Sequence, residues 1–394
     1  MLLVERHIIK KSSPLYTELD SMSLLSKNLY NTALYEIRQH YFTTKQYLNY
    51  VKLAHKLASS RQIDYKSLPA KISQQVLKQV DNNFVSFFKS IKSPNIKHHV
   101  SLPKYLNKTG RNLLVFTNQA ISRKQLKYNI IKLSGCKNTI KCIHNNVRQV
   151  RVVPAGNHFV VEIIYSRTEK QKGTNNNFAG IDLGLNNLAT VGGNNVHSII
   201  INGKPLKSIN QFYNKKLSKL KSRQGKSKSI NSKKIKTLTN KRNNKIKDYL
   251  HKASRLLVNY LVSNDVSTVV IGHNKGWKQD INIGKANNQN FVQIPFNSFI
   301  QMIEYKAKLE GVNVVVREES YTSKCSFIDN ETIEKHEHYK GVRIKRGLFK
   351  SSTGRLLNAD LNGSLNILRK EVPNAFDGYG IEVCNTPTVL TVKQ

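Results

Sequence analysis

Acidic residues are scarce in this chain: 24 Asp and Glu stand against 64 Lys and Arg in 394 residues, a formal net charge of +40. Self-repulsion on that scale opposes compaction unless a polyanion neutralises it. Cysteine is scarce as well, at positions 136, 142, 325 and 384 only. So few thiols exclude a disulfide-built scaffold and suit a reducing compartment, so the expected location is cytoplasmic and, given the charge, nucleoid-associated. No apolar run is long enough to span a bilayer, and Met1-Leu2-Leu3-Val4-Glu5-Arg6-His7 carries charge where a signal peptide needs an apolar core. Secreted, membrane-embedded and collagen-like classes are set aside. What remains is a chain 39% hydrophobic, able to bury cores in two or three domains. Its bases run along the whole length instead of clustering in one amphipathic helix, which favours nucleic acid over an anionic membrane surface.

Residues 2–9 read as a strand, followed by a helix with Leu25, Leu29, Ala33, Ile37 and Tyr41 on one stripe. A second helix opens at Ser67-Leu68-Pro69 with the stripe Ile72, Val76, Val80, Phe84, Phe88 and Ile91. Residues 15–98 thus form a helical insert after one strand. From 99 to 170 the texture is β, with a hairpin of Val147–Val153 and Phe159–Tyr165 about a turn at 154–158. The polar stretch Gln171–Asn177 is the best linker. Beyond it, strands at 178–191, 196–202, 266–271 and 312–316 alternate with helices at 208–262, 295–310 and 359–371, the pattern of an α/β sheet with parallel central strands. Residues 322–356 read as irregular. Residues 201–255 hold 18 Lys and Arg and one acid, Asp248, and read as a basic arm that tracks phosphates. Its candidate contacts are Lys215, Lys216, Lys219, Lys221, Arg223, Lys241, Arg242, Lys245 and Arg255, with Trp277, the single tryptophan, placed to stack on a base or to buttress a loop.

The sharpest local signal is Ala179-Gly180-Ile181-Asp182-Leu183-Gly184. An acid inside an apolar strand is costly unless it meets a cation or hydrogen-bond donors. Such an Asp anchors a divalent metal in ribonuclease-H-like nucleases, and a similar turn cradles phosphate in actin- and hexokinase-like ATPases. The Leu185-Asn186-Asn187-Leu188 continuation lacks the hydroxyls of the ATPase form, and an ATPase gives no reason for the charge. A nuclease with two Mg²⁺ ions roughly 4 Å apart needs further carboxylates, and Asp360, at the start of the last helix, is one.

Taken in order, Lys27-Asn28-Leu29-Tyr30-Asn31, Leu68-Pro69-Ala70-Lys71, Leu102-Pro103-Lys104-Tyr105, Gly180-Ile181-Asp182-Leu183-Gly184, Tyr321-Thr322-Ser323-Lys324-Cys325 and Asp360-Leu361-Asn362-Gly363 resemble the TnpB family. These are RNA-guided nucleases of insertion sequences, of OrfB type, related to compact type V CRISPR effectors. The resemblance covers nearly the whole chain. It implies a ribonuclease-H-like RuvC nuclease domain (171–372) with the basic arm (201–255) and a degenerate zinc-ribbon insert (322–356), then a C-terminal tail (373–394). Ahead of it would lie a wedge domain, its first strand at 1–14 and its β-rich part at 99–170, holding the helical recognition insert (15–98). The partners implied are a guide RNA, noncoding and from the transposon end, and target double-stranded DNA, with no membrane. The protein itself would recognise a short motif beside the target, while base pairing reads the sequence.

Two departures bear on mechanism. The family's catalytic glutamate ends the strand that here reads Val269-Val270-Ile271-Gly272-His273-Asn274, so glycine stands in the acid's place. Glu318-Glu319 ends the next strand, and neighbouring strands lie about 4.8 Å apart. Glu319 is therefore expected to join Asp182 and Asp360 as a catalytic residue and Mg²⁺ ligand, with Glu318 as its substitute and His273 a weaker one. A structural zinc needs four ligands, whereas the insert offers Cys325, His336 and His338 without paired cysteines. No zinc is expected there, and the insert is read as a basic loop carrying Arg343, Lys345, Arg346 and Lys350. The expected activity is Mg²⁺-dependent, RNA-guided DNA hydrolysis. The alternatives are a nuclease-dead, RNA-guided DNA-binding repressor and a strand-transferring transposase.

Overall fold

The computed structural model describes residues 1–93, 100–223, 233–274, 276 and 284–392, in two compact units, Met1–Thr168 and Glu169–Gln394. In the first unit β1 (Leu2–Lys10) leads into helices α1 (Pro14–Thr44), α2 (Tyr50–Ser59), α3 (Ile63–Lys66) and α4 (Ala70–Lys92). There follow β2 (Leu114–Thr117), α5 (Arg123–Leu126), β3 (Ile130–Lys132), β4 (Thr139–Lys141), β5 (Val147–Pro154) and β6 (His158–Ser166). β1 returns to pair antiparallel with β6, giving the order β1–β6–β5–β2, while β3 and β4 form a separate hairpin. The helical stripes behave as their spacing predicts: Leu29, Ala33 and Ile37 of α1 and Ile72, Val76, Val80 and Phe84 of α4 are buried. Tyr41, Phe88 and Ile91, at the far ends of the stripes, are exposed. Helices and sheet share one hydrophobic core.

Several motif residues of this unit turn out to be staples. The Asn31 side chain donates to Leu106 O (3.1 Å) and accepts from Leu106 N (2.8 Å), and the Lys27 ammonium donates to Lys108 O (3.0 Å). Arg38 donates to Pro103 O (2.5 Å) and lies over the Tyr105 ring. These bonds fix the extended 102–112 segment along α1, because a chain with no regular partner must satisfy its backbone by side chains.

In the second unit the strands are β7 (Phe178–Asp182), β8 (Asn187–Gly193) and β9 (Ile199–Asn202). Helices α6 (Lys204–Arg223) and α7 (Lys233–Ser263) follow, then β10 (Thr268–Gly272), α8 (Lys285–Val292), α9 (Phe296–Leu309) and β11 (Asn313–Arg317). Gly225 and its neighbouring serines, which in sequence interrupt the helical stretch 208–262, lie outside the described residues. β7, β8 and β9 form an antiparallel meander, and β10 and β11 add on the other side of β7, parallel to it. This is the ribonuclease-H-like arrangement, so the central strands are mixed and not purely parallel.

Two segments differ from the sequence reading. Residues 322–356, expected to be irregular, contain β12 (Val342–Lys345) and β13 (Leu348–Lys350), and β13 pairs antiparallel with both β12 and β14 (Leu356–Asn358). After α10 (Ala359–Glu371), the segment read as a tail places β15 (Thr388–Leu390) parallel to β9. Alternation along β10 shows why its sequence is a solid apolar run: Val269 and Ile271 enter the core beneath α7 and α9, and Val270 enters a second core beneath α10.

Candidate functional site

The same alternation decides where Asp182 points. Ala179 and Ile181 of β7 are in the core with α7 and α9, so Gly180 and Asp182 face α10. A Cβ on Gly180 would overlap the Ser364 carbonyl oxygen, and one on Gly363 would lie 3.0 Å from Asp182 Oδ2. Glycine at both places lets strand and helix touch. That contact brings Asp360, in the first turn of α10, into the field of Asp182. Asn358 caps the helix, its Oδ1 accepting from the backbone N–H of Asp360 (3.0 Å) and Leu361 (3.1 Å). The Asp360 carboxylate accepts a 2.6 Å hydrogen bond from Asn187 Nδ2 and pairs with Arg343 at 3.3 Å.

Glu319 arrives from the neighbouring strand. A Cβ on Gly272 would lie 2.6 Å from Glu319 Oε2 and 2.5 Å from Ile367 Cδ1. The Glu319 carboxylate therefore occupies the space into which a side chain at 272 would project. Its backbone N–H donates to Asn274 Oδ1 (3.0 Å), and its carbonyl accepts from Thr322 Oγ1 (2.8 Å), which fixes the turn. Glu318 faces away: Lys370 Nζ holds its carboxylate at 2.7 Å, and Ser320 donates to it as well. His273 is turned to Asn297 Oδ1, 2.9 Å from Nε2.

Electrostatics mark the three acids as a group. Asp182 has its pKa raised well above the ordinary carboxylate range by burial, then by the charges of Asp360 and Glu319, against the pull of Arg343 and the Leu183 N–H. Burial pushes Glu319 up to about 7, with Glu318 adding to the rise and Lys370 opposing it. A carboxyl whose pKa is higher folded than unfolded stabilises fully below its unfolded value and loses that contribution as pH rises through the folded one. The metal-free protein should therefore lose on the order of 3 kcal/mol from Glu319 between about pH 4.5 and 7.5. The Tm is expected to fall across that window and Glu319→Gln to flatten the fall. A slope untouched by the substitution contradicts this placement.

Sequence reasoning missed Asn187 and Asn274, whose amides orient the acids, and read Arg343 only as a base in a loop. Pattern alone gives no signal for the first two, since their partners lie far away in sequence. For Arg343 the pairing of β12 with β13 is what carries it to Asp360.

The insert is held by polar side chains. Buried Glu331 accepts from Ser326 N (2.7 Å) and Lys340 N (2.8 Å), and Asn362 and Asn366 of α10 donate to Cys325 O (2.9 and 2.7 Å). The Cys325 thiol is buried, faces Glu334 O at 3.6 Å, and has its pKa raised chiefly by burial. His336 Nε2 lies 2.8 Å from Thr332 O, and His338 is exposed.

On the arm, Lys215, Lys216, Lys219, Lys221, Lys241 and Lys245 are exposed. Arg242 is drawn inward, donating to Asn210 Oδ1 and Gln293 O, each at 2.8 Å, and Arg255 pairs with Glu310 at 3.8 Å. These two guanidiniums tie the arm to the domain. The Arg223 side chain and Trp277 lie outside the described residues.

Fold and site together define a ribonuclease-H-like α/β protein whose acids gather at the ends of neighbouring strands and the start of the last helix. Residues 158–278 match a family model described as a probable transposase (OrfB_IS605), and residues 296–367 match the Cas12f1-like TNB domain. The chain is 25% identical to the TnpB-like protein ORF457 of Acidianus two-tailed virus, over 88% of this chain and 82% of that one. These matches agree with the resemblance of its motifs to the TnpB proteins. Among solved structures it is similar to Cas12f1 in a complex with single-guide RNA and target DNA, with 16% identity, TM-score 0.38, and coverage of 94% of this chain and 100% of that one. It is also similar to the mini-RNA-guided endonuclease Cas-phi3, with 10% identity, TM-score 0.43, and coverage of 98% and 94%. Among the described residues no helix is long and apolar enough to cross a membrane, and no group of three or more His, Cys, Asp or Glu side chains already stands close enough together to hold a metal ion.

Proposed function

We propose that this chain is an RNA-guided DNA endonuclease of a transposable element, hydrolysing phosphodiester bonds at Asp182, Glu319 and Asp360 with two Mg²⁺ ions. The observation that carries the reading is the Glu319 carboxylate lying over Gly272, on the same side of the sheet as Ile367 of α10. The donors fit the metal: three carboxylates, with no nitrogen or sulfur among them, are the hard ligands Mg²⁺ takes. At Asp182 the charges of Asp360 and Glu319 add to the rise that burial causes, and a divalent cation would relieve that repulsion.

Such ions, when bound, supply a polarised phosphate and an acidified water. The chain's own residues do the rest. Asp182, Glu319 and Asp360 are the carboxylates that would hold such ions. Asn187 orients the Asp360 carboxylate, and Arg343 offers a guanidinium at the same point, suited to a phosphate oxygen.

The charge of +40 and the likeness to TnpB proteins support a noncoding guide RNA as the resident polyanion and duplex DNA as target. On this reading the first unit serves as wedge (1–14 and 99–170) and recognition insert (15–98), and the exposed arm lysines follow phosphates. The insert holds its shape without zinc: a strong chelator should leave the Tm unchanged, whereas Glu331→Ala should lower it by roughly 5–10 °C, because buried backbone N–H groups lose their acceptor.

The test is cleavage. Protein purified with its RNA and given guide-matched duplex and Mg²⁺ should cut it, and a chelator should stop the reaction. Binding without cutting over a library of flanking motifs would instead support the repressor, and joined strands the transposase.

A further inference from the structure

Helices α6 and α7 enclose a cavity of about 330 Å³ whose walls include Ile209, Phe212, Tyr213, Leu238, Lys241 and Lys245. Phe212 is 60% exposed. The ammonium of Lys216 lies 5.6 Å from its centroid, and Lys241 and Lys245 stand at the rim. The groove continues into a second cavity of about 580 Å³ lined by Lys216, Lys219, Lys233, Lys234 and Lys241. Neither helix carries an acid before Asp248, which is already paired with Lys252 at 2.9 Å. Arg242, tied to Asn210 and Gln293, backs Tyr213 from 5.6 Å and makes the wall rigid.

An apolar ring framed by uncompensated ammonium groups matches one ligand chemistry: a flat, unpaired base whose flanking phosphates run over lysines. A duplex does not fit, because its bases are stacked and the cavity is at the small end of ligand pockets, which run from about 300 to 1,000 Å³. We propose that Phe212 is a stacking platform for an unpaired nucleotide of bound RNA, with Lys241 and Lys245 on its phosphates and the lysine-lined cavity taking the strand onward. RNA is preferred over a DNA strand because the arm's charge needs a partner at all times, and DNA is met only at a target. The proposal rests on the reading of the chain as RNA-binding, and it adds a base contact to an arm otherwise expected to touch phosphates alone.

The test uses the full chain and a short single-stranded oligouridylate, with oligothymidylate and duplex RNA as parallel arms. Phe212→Ala should weaken oligouridylate binding by about 5- to 150-fold without changing the salt slope. Phe212→Trp should restore it, which a mere loss of folding would not allow. Lys241→Gln with Lys245→Gln should lower the salt slope by about 1.4 for a single strand. A 4-thiouridine probe in the copurifying RNA should crosslink within the peptide containing Phe212. Unchanged affinity in Phe212→Ala, equal weakening toward duplex RNA, or crosslinking to this peptide only from DNA would overturn the proposal and leave the nuclease reading standing. Failure of the unmodified protein to bind any RNA would overturn both.

Discussion

Glu319→Gln is expected to abolish cleavage of guide-matched DNA, by well over 100-fold, while leaving RNA and target binding intact. Residues that merely support a metal ligand cost 10–100-fold when changed, so loss of a ligand must exceed that range. The amide keeps the volume over Gly272 and removes the charge. Glu318→Gln is the internal control. Its carboxylate is committed to Lys370 and Ser320 on the exposed side, so activity should stay within about threefold. Equal loss in both variants, or loss in Glu318→Gln alone, would transfer the role to the other acid.

Gly180→Ala should be the most damaging small substitution in the second unit. Its methyl would drive into the Ser364 carbonyl and against Leu368 Cβ at 3.0 Å, and neither is the free end of a flexible side chain. Overpacking of this kind costs about 3 kcal/mol or more, equivalent to a drop in Tm of roughly 6–12 °C. Relief would come from lifting α10 off β7, which would carry Asp360 away from Asp182, so cleavage should fall even where the protein is still folded. Gly156→Ala, in an open turn at φ +72° with nothing within 4 Å, should cost only about 1–2 kcal/mol from its backbone and spare activity. Similar Tm values for the two variants would count against the close strand–helix contact.

Periodicity made most of the architecture legible. The stripe Ile72, Val76, Val80, Phe84 marks α4, and the solid run Val269-Val270-Ile271 marks a strand covered on both faces. Asp182 and Asp360 stand out as candidates because an acid with glycines two residues to either side in a buried strand, and one at a helix start, are conspicuous. The short sheet of the insert was not legible: all four residues of β12 are exposed, so Val342-Arg343-Ile344-Lys345 shows no burial pattern. Nor was β15, whose place depends on a partner far back in the chain. The same non-locality hides Asn187, Asn274 and the Arg343–Asp360 pair. Arg242 shows the converse. It counted as one more base in a basic run, and only its partners Asn210 and Gln293 reveal a tie.

Gly272 joins the two levels. In sequence it stands where the resemblance to TnpB proteins leads one to expect an acid; in space the Glu319 carboxylate occupies the place its side chain would take. The central claim, that this gap rebuilds a two-metal site from the adjacent strand, can be tested most directly by anomalous diffraction from crystals of the RNA-bound protein soaked in Mn²⁺. The account predicts two peaks about 4 Å apart, with carboxylate oxygens of Asp182, Glu319 and Asp360 in direct coordination. Peaks ligated without Glu319, or no ion beside Asp182, would contradict it.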